Sequence, residues 1–595
     1  MTDTHTVFNQ SKPLTDYNMF CQDAVLVGLV QRYGADWAKD RLEGFGAFAG
    51  SQNANTLAIQ ANVSEPVLKT HDRFGNRVDE VEFHPSYHEL MKTAIAFGLH
   101  SLPWEQKRDG AHVARAAMLY MSFQNEAGHC CPISMTYSVV PALRKQPDLA
   151  AIWEPRILSN VYDPRFLPSA LKGGITVGMG MTEKQGGSDV RANTTRAVPA
   201  ETAGPGKEYK ITGHKWFCSA PMSDAFLLLA QTEKGLSCFL VPRWKPDGSK
   251  NSLRIQRLKE KLGNRSNASS ELEFVDALGF LVGEEGRGVP TIIEMVNHTR
   301  LDCMLGASAL MRQATAQALN HTTHRAAFGK KLIDQPLMQS VLADLALESE
   351  AAIRLTMRLA RAYDQCDNSA SEALFKRLGS AIAKYWVCKR APMHVAEALE
   401  CFGGNGYVEE GPMPRLFRES PLLGIWEGSG NVICLDVLRA VSKEPESLSA
   451  VLSEITRMNG KNRTFDSFVK ELMKDVAALK ALAGAKTGPA TSAKGAEISA
   501  KQGAKSQTGD ASLAKAQAKQ AKAQAAQAAA LEQSARRFVE RLALALQGAL
   551  MLEQTPRYVA DTFIAARMGR NRGLAFGNLP AKARVKAIVE RALIK

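Results

Sequence analysis

Between about residues 175 and 285 the apolar pattern changes from a helical period to short strands, and then changes back. On either side the repeat is helical. Met91, Ala94, Ile95 and Gly98 sit at helical spacing, as do Ala114, Ala117, Met118 and Met121. Inside the window, 209–217, 225–231, 236–242, 253–257 and 271–276 are short β-type runs punctuated by Gly, Pro, Asp and Ser. A chain that switches period once and switches back cannot be one bundle or one sandwich. It predicts an α+β multidomain protein with a compact antiparallel β domain at 175–288, held between helical units.

The rest of the chain fills in around that window. Residues 1–40 read as an extension of weak periodicity, so 1–174 is taken as extension plus helical domain. Helical periodicity returns near 289 and continues to 440 with breaks at Gly329, Pro336 and Gly403-Gly404, which suits four or five long bundle helices. Residues 484–530 hold seven lysines, only Glu497 and Asp510 as acids, and no aromatic residue. Their first half, to Asp510, predicts disorder, and Ala511–Ala530 predicts a solvated helix. Amphipathic helices resume after Ser534, so this stretch is an insertion in a C-terminal helical domain, 441–595. Length alone, 595 residues, predicts about three to five domains. There is no long uninterrupted apolar run and no basic-then-apolar start, which predicts neither a membrane span nor a secretory leader. The ten cysteines are scattered without a CxxC, so zinc and thioredoxin chemistry lack support. A reduced, cytoplasmic protein without a metal is the simplest reading.

Charge divides unevenly. Residues 1–440 carry a net +1 and residues 441–595 a net +13. Such asymmetry predicts a basic end that meets a polyanion, while a solubilising basic face is the plainer alternative. The candidate phosphate contacts are Arg439, then the dense Arg567, Arg570 and Arg572 group, and the final Lys582, Arg584, Lys586, Arg591 and Lys595.

Five local signals carry chemistry. Gly178 to Asp189 is a glycine-rich loop with hydroxyls at Thr182 and Ser188, suited to close backbone approach to a phosphate or ring edge. A plain turn would look the same. Lys215-Trp216-Phe217-Cys218-Ser219 places aromatics in a strand, where core packing is the commoner reason. His324-Arg325 with Phe328, Gly329 and Gln335 offers a guanidinium for bidentate phosphate binding. Glu400 to Tyr407 contains Gly403-Gly404. Ile425-Trp426-Glu427-Gly428-Ser429-Gly430-Asn431 sets a carboxyl beside an indole, and burial there would raise its pKa toward that of a general base.

In this order and spacing the five resemble the acyl-CoA dehydrogenase flavoprotein superfamily over roughly residues 50–440. The wording is similar to its AidB branch, the adaptive-response-to-alkylation proteins. Thr6-Val-Phe-Asn9-Gln10, Met181 to Asp189, Gly404-Asn-Gly-Tyr-Val-Glu-Glu and Met413-Pro-Arg-Leu-Phe-Arg carry that likeness. The resemblance implies a helical domain, a β-barrel-like domain and a four-helix bundle, followed in this branch by an extra basic helical domain, in a homotetramer holding FAD. It implies Met181, Thr182 and Ser188 along the isoalloxazine and pyrophosphate, with Trp216, Phe217, Cys218 and Ser219 flanking the ring. Cys218-Ser219 departs from the family's usual Ile-Thr. Arg325, Phe328 and Gln335 would reach the adenine half across a dimer interface. Gly403 and Gly404, with Trp426, Gly428, Ser429 and Asn431, complete the implied cofactor set. Glu427 falls at the usual catalytic base, and Thr299 occupies the alternative base position, so no second base is present.

Two functions compete on this reading. One is an FAD-containing protein of the alkylation response that binds double-stranded DNA without sequence preference. The other is a metabolic, isovaleryl-CoA-like dehydrogenase acting on a short branched acyl-CoA.

Overall fold

The computed structural model describes residues 4–484, 507–570 and 572–594. The N-terminal helices are Ala24–Arg32, Lys39–Ala49, Gln52–Val63, Pro85–Ala96, Ala111–Asn125, Cys130–Leu143 and Pro147–Ile157. The weakly periodic extension expected over 1–40 is therefore a helix from residue 24. Asp23 starts it by accepting the N–H groups of Val25 and Leu26. These helices are short, and Gly and Ala dilute their apolar stripe. A hairpin of Val67–His71 with Arg77–Glu82 interrupts the helices. Ala111–Asn125, read from the helical spacing of Ala114, Ala117, Met118 and Met121, is buried at every position, its polar residues included.

The central sheet runs in the order Val177–Gly180, Ala225–Thr232, Arg196–Pro199, Glu208–Ser219, Ser269–Leu281, Gly235–Pro242, with Leu253–Leu258 on Ser269–Leu281. Gly235–Pro242 also pairs with Ala225–Thr232 along its whole length and closes the sheet on itself. The expected all-antiparallel arrangement is corrected at two places. Val177–Gly180 lies parallel to Ala225–Thr232, and Arg196 pairs parallel with Gln231. Both added strands have only four residues, too few to show a period. Phe226, Leu228 and Ala230 fill the barrel with Tyr209, Phe239 and Phe274. Ala225, Leu227 and Leu229 turn outward onto Val139, Met135 and Met295. A strand buried on both faces reads as an unbroken apolar run.

The bundle has three long helices rather than four or five: Gly288–His324, Pro336–Gln365 and Ala370–Glu400. Ser369 caps the third by accepting the Glu372 N–H. The fourth member, Gly430–Lys443, has 14 residues, because short turns occupy 401–429. Residue 440 falls within that helix. The C-terminal region continues with Pro445–Thr456, Arg463–Gly484, Gln507–Gln554, Arg557–Met568 and Val585–Ala592. Most of the low-complexity half, 484–510, lies outside the described residues, but 507–510 already belong to the long helix. Leu448, Phe465, Leu546, Phe563 and Ile588 share one continuous core with Leu305, Leu355 and Val387 of the bundle.

Charges fasten the same junction. Arg567 bonds Asp344 and Glu348, Arg390 bonds Glu348, and Arg354 and Arg591 bond Glu350.

Candidate active site

The glycine-rich loop follows Val177–Gly180 and is held by a buried ion pair. Lys215 Nζ lies 2.7 Å from Glu183 Oε1, both without solvent exposure. Glu183 also accepts the Thr194 N–H at 2.7 Å and the Thr195 N–H at 3.2 Å. Burial works against the Glu183 carboxylate, but Lys215 and these N–H groups pull its pKa down to about 2. The Trp216 N–H donates to Thr182 O at 2.8 Å, fixing the loop's hydroxyl end on the strand. A side chain at Gly187 would collide with the Thr182 hydroxyl, so only glycine lets the loop fold over it. Met181 and Thr182 are half-buried and Ser188 is exposed.

Trp216 and Phe217 occupy a bulge. Lys215 pairs with Leu272 and Cys218 with Ser270, so the first strand carries an extra residue. The bulge turns both aromatics outward, with Lys259 Nζ 3.3 Å from the Trp216 ring centroid. It also sends Cys218 inward, into the barrel core. The expectation that Cys218 flanks a ring is thus corrected. Ser219 is half-buried, its Oγ 3.4 Å from Ser269 Oγ.

The second element is the turn at Ile425 to Asn431. Glu427 has φ +57° and Gly428 φ +107°, a left-handed pair that costs energy for the glutamate and must be held from outside. Arg300 Nε donates to Glu427 O at 3.2 Å, and Lys384 Nζ to Gly428 O at 2.6 Å. Arg300 is fixed in turn by Asp436 at 2.8 Å, which also accepts from Arg377 at 3.1 Å. The turn is pinned through its carbonyls, which leaves the carboxyl group available. Glu427 Oε2 is buried with no hydrogen-bond partner among the described residues. Burial raises the Glu427 pKa, and Arg300, the Thr299 hydroxyl and Lys384 oppose the rise.

Cys131, on Cys130–Leu143, joins the two elements. Burial pushes its thiol up to about 12, a rise that Ser219 and Asn267 oppose and the nearby Glu427 carboxyl adds to. Sequence reasoning did not find Cys131, Arg300 or Lys384. Arg300 was legible only as the neighbour of Thr299, and the others have no local signature. Trp426 packs between two core clusters. Ser429 and Asn431 are exposed at the start of Gly430–Lys443, and Asn431 accepts from Arg536 Nε at 2.8 Å. A cavity of about 490 Å³ adjoins this region at Pro132 and Ala220 but includes neither Ser219 nor Cys131.

Arg325, Phe328, Gln335, Gly403 and Gly404 lie elsewhere. Arg325 follows the last turn of Gly288–His324, 25 residues beyond Arg300, or roughly 37 Å along the helix. Phe328 (φ +53°) and Gly329 (φ +75°) form the tip of a two-residue hairpin, and Phe328 is 99% exposed. Asn9 clasps the hairpin: its amide donates to Ala326 O at 2.9 Å and accepts the Ala326 N–H at 2.7 Å. Arg325 Nη1 donates to Asn9 O at 2.9 Å, and Gln335 Nε2 to Ala327 O at 3.1 Å. Phe402 stacks on His321 at 4.4 Å, which puts Gly403 and Gly404 beside this hairpin. A Cβ on either glycine would meet nothing.

Of the proposed phosphate contacts, Arg439, Arg570 and Arg572 are exposed. Two are corrected: the Arg567 guanidinium is spent on Asp344 and Glu348, with the side chain only 13% exposed, and that of Arg591 is spent on Glu350. Among the described residues no cluster of His, Cys, Asp or Glu could hold a metal ion, and no helix is long and apolar enough to cross a membrane.

Three family models cover most of the chain: the adaptive response protein AidB N-terminal domain at 9–164, and the acyl-CoA dehydrogenase middle and C-terminal domains at 178–277 and 286–442. The chain belongs to the acyl-CoA dehydrogenase family, whose cofactor is FAD. Its branch is AidB. It is 47% identical to the AidB protein of Escherichia coli (strain K12) over 80% of this chain and 87% of that one. It is 31% identical to acyl-CoA dehydrogenase family member 11 of Caenorhabditis elegans over 72% of this chain and 70% of that one. The crystal structure of Caenorhabditis elegans ACDH-11 in complex with C11-CoA superposes with a TM-score of 0.78 at 26% identity, covering 95% of this chain and 93% of that one.

The residues present fit FAD. The open, hydroxyl-bearing loop at Thr182, the outward Trp216–Phe217 bulge and Ser219 offer a ring platform. Glu427 Oε2 is buried without a hydrogen-bond partner among the described residues, so it is open to a bound group.

Proposed function

We propose that this chain is an FAD-containing, DNA-binding protein of the response to DNA alkylation, built on the acyl-CoA dehydrogenase scaffold. The observation that carries the DNA-binding part is where the unspent positive charge lies. Arg439, Arg570 and Arg572 are exposed and have no carboxylate partner among the described residues, in or beside a region of net +13. Phosphate contacts of this kind give affinity without base preference. The likeness to AidB supports the alkylation role.

The Glu427 geometry favours a second reading, acyl-CoA dehydrogenation. Thr182, Trp216 and Ser219 would hold FAD, which would supply the hydride acceptor. Glu427 Oε2 takes the α-proton of an acyl thioester. Its raised pKa makes it a stronger base, while Arg300 and Lys384 fix the turn so that the carboxyl need not reorganise. Arg325 lies roughly 37 Å along Gly288–His324 from Arg300, the residue that holds the Glu427 turn, which supports sharing of each FAD between two copies in a homotetramer.

One pair of measurements on the purified protein separates the readings: turnover with a panel of acyl-CoAs, and duplex affinity as a function of salt. Negligible turnover with tight, salt-sensitive DNA binding supports the first. Efficient turnover with no DNA binding at low salt rejects it.

A further inference from the structure

Only two of the ten cysteines are not buried, Cys21 and Cys366. Cys366 follows Pro336–Gln365 and faces a lysine from the next helix. Lys376 Nζ donates to Cys366 Sγ at 3.1 Å. The contact closes a ten-residue loop that contains the turn between the two bundle helices. Both side chains are half-buried. The thiol also points to Tyr363 O at 3.4 Å and Asp367 Oδ1 at 3.6 Å. Lys376 lies over the Tyr363 ring at 5.0 Å. Both partners are thus held in place and still open to a small oxidant.

We propose that Cys366 and Lys376 form an oxygen-bridged covalent link, Cys–S–O–NH–Lys, with dioxygen as oxidant. The separation is close to the span of an S–O–N unit, whereas a direct S–N bond would require the atoms to close by nearly half. The balance is one thiol, one ammonium and one dioxygen giving the bridge, one water and one proton. The S–H bond, two N–H bonds and the O–O bond break, and S–O and O–N bonds form. Sulfur and nitrogen each give up two electrons. One oxygen atom enters the bridge and the other leaves as water. A thiol beside an amine is thereby diverted from the sulfenic-to-sulfonic ladder, which runs toward irreversible products.

The link would staple the end of one bundle helix to the second turn of the next. Arg377, the neighbour of Lys376, bonds Asp436, which fixes Arg300 behind the Glu427 turn. The bridge would therefore stiffen the support of that turn without touching it.

The test is mass spectrometry of the full-length protein held in air, compared with protein held with dithiothreitol. Trypsin cuts after Arg361, Lys376 and Arg377, so both residues normally share the peptide 362–376. A bridged Lys376 resists cleavage. The expected product is 362–377, heavier by one oxygen less two hydrogens and returned to the ordinary 362–376 by dithiothreitol. Cys366→Ser and Lys376→Arg should each abolish it, while Cys21→Ser should leave it unchanged. Normal cleavage at Lys376 in aerated protein overturns the proposal, as does oxygen gained on Cys366 without the loss of two hydrogens. A loss of two hydrogens with no oxygen gained, the mark of a direct S–N bond, overturns it too.

Discussion

At the residue scale the strongest contrast is between two carboxylates of the same region. Glu183 and Glu427 are both in signature strings, yet one is saturated and the other is not. Glu183 has Lys215 and two backbone N–H groups, so it holds the loop. Glu427 has an empty oxygen, so it is the group able to take a proton. Glu427→Gln should lower any acyl-CoA dehydrogenation by about 10²–10⁴-fold with flavin retained, read by turnover and the visible spectrum. In the wild type that turnover should rise with pH through a midpoint above 4.5, the ordinary glutamate value, because burial raises the Glu427 pKa. Lys215→Met leaves Glu183 as an uncompensated buried charge and should cost about 3–5 kcal/mol. Lowered thermal stability and early flavin release would report it, and Glu183→Gln alongside should restore part of the loss. The chemistry of Glu427, Thr182 and Ser219 was legible because short strings name it. Lys215 was quoted in such a string for its aromatic neighbours, and its ion pair depends on a partner 32 residues away.

At the scale of elements, strands and breaks were readable where a run was long enough to show its period. Ala225–Thr232 and Gly235–Pro242 were placed within one residue, Ser269–Leu281 was read only over 271–276, and the four-residue strands were missed. The bulge was not legible, since Cys218 and Ser219 look alike until one knows that Trp216 and Phe217 share a single register position. The arginines after the bundle divide in the same way. Sequence ranks Arg567, Arg570 and Arg572 as one cluster, but Arg567 faces the acidic row Asp344–Glu348 and the others face solvent. Arg567→Ala should lower thermal stability by the roughly 3–5 kcal/mol of a broken buried pair. Arg570→Ala with Arg572→Ala should leave the melting temperature unchanged and weaken every duplex alike. If six to ten phosphates are neutralised, affinity should fall about 10³–10⁵-fold between 50 and 200 mM salt.

Across the whole molecule the four units expected from the sequence share core and charge more than their periodicity suggests. Composition separates the basic region from the bundle, but contact does not. Removing residues 441–595 would bare the bundle face that packs on Leu546, Phe563 and Ile588, so the truncated chain should aggregate rather than report on DNA binding. Acid should loosen the same junction. Burial opposes the Glu348 charge, but Arg390 and Arg567 hold its folded pKa at about 2, below the ordinary 4.5. Its contribution is present above 4.5 and is lost as pH falls through about 2. Tryptophan fluorescence should follow the change, since Trp386 contacts Gln547 across that junction at 2.9 Å, and Glu348→Gln should flatten it.

Arg312, in the middle of Gly288–His324, bonds Asp23 at 3.0 Å and the carbonyl of Ala592 at 3.2 Å. One guanidinium thus gathers residues from near both ends of the sequence. On the ribosome, where the earlier parts of a chain fold first, the partner at 23 waits from the start, whereas the partner at 592 arrives 280 residues after Arg312 itself. A nascent chain halted before residue 592 lacks the carbonyl that Arg312 bonds. The Arg312–Ala592 contact therefore closes only after synthesis has passed well beyond the helix that carries Arg312.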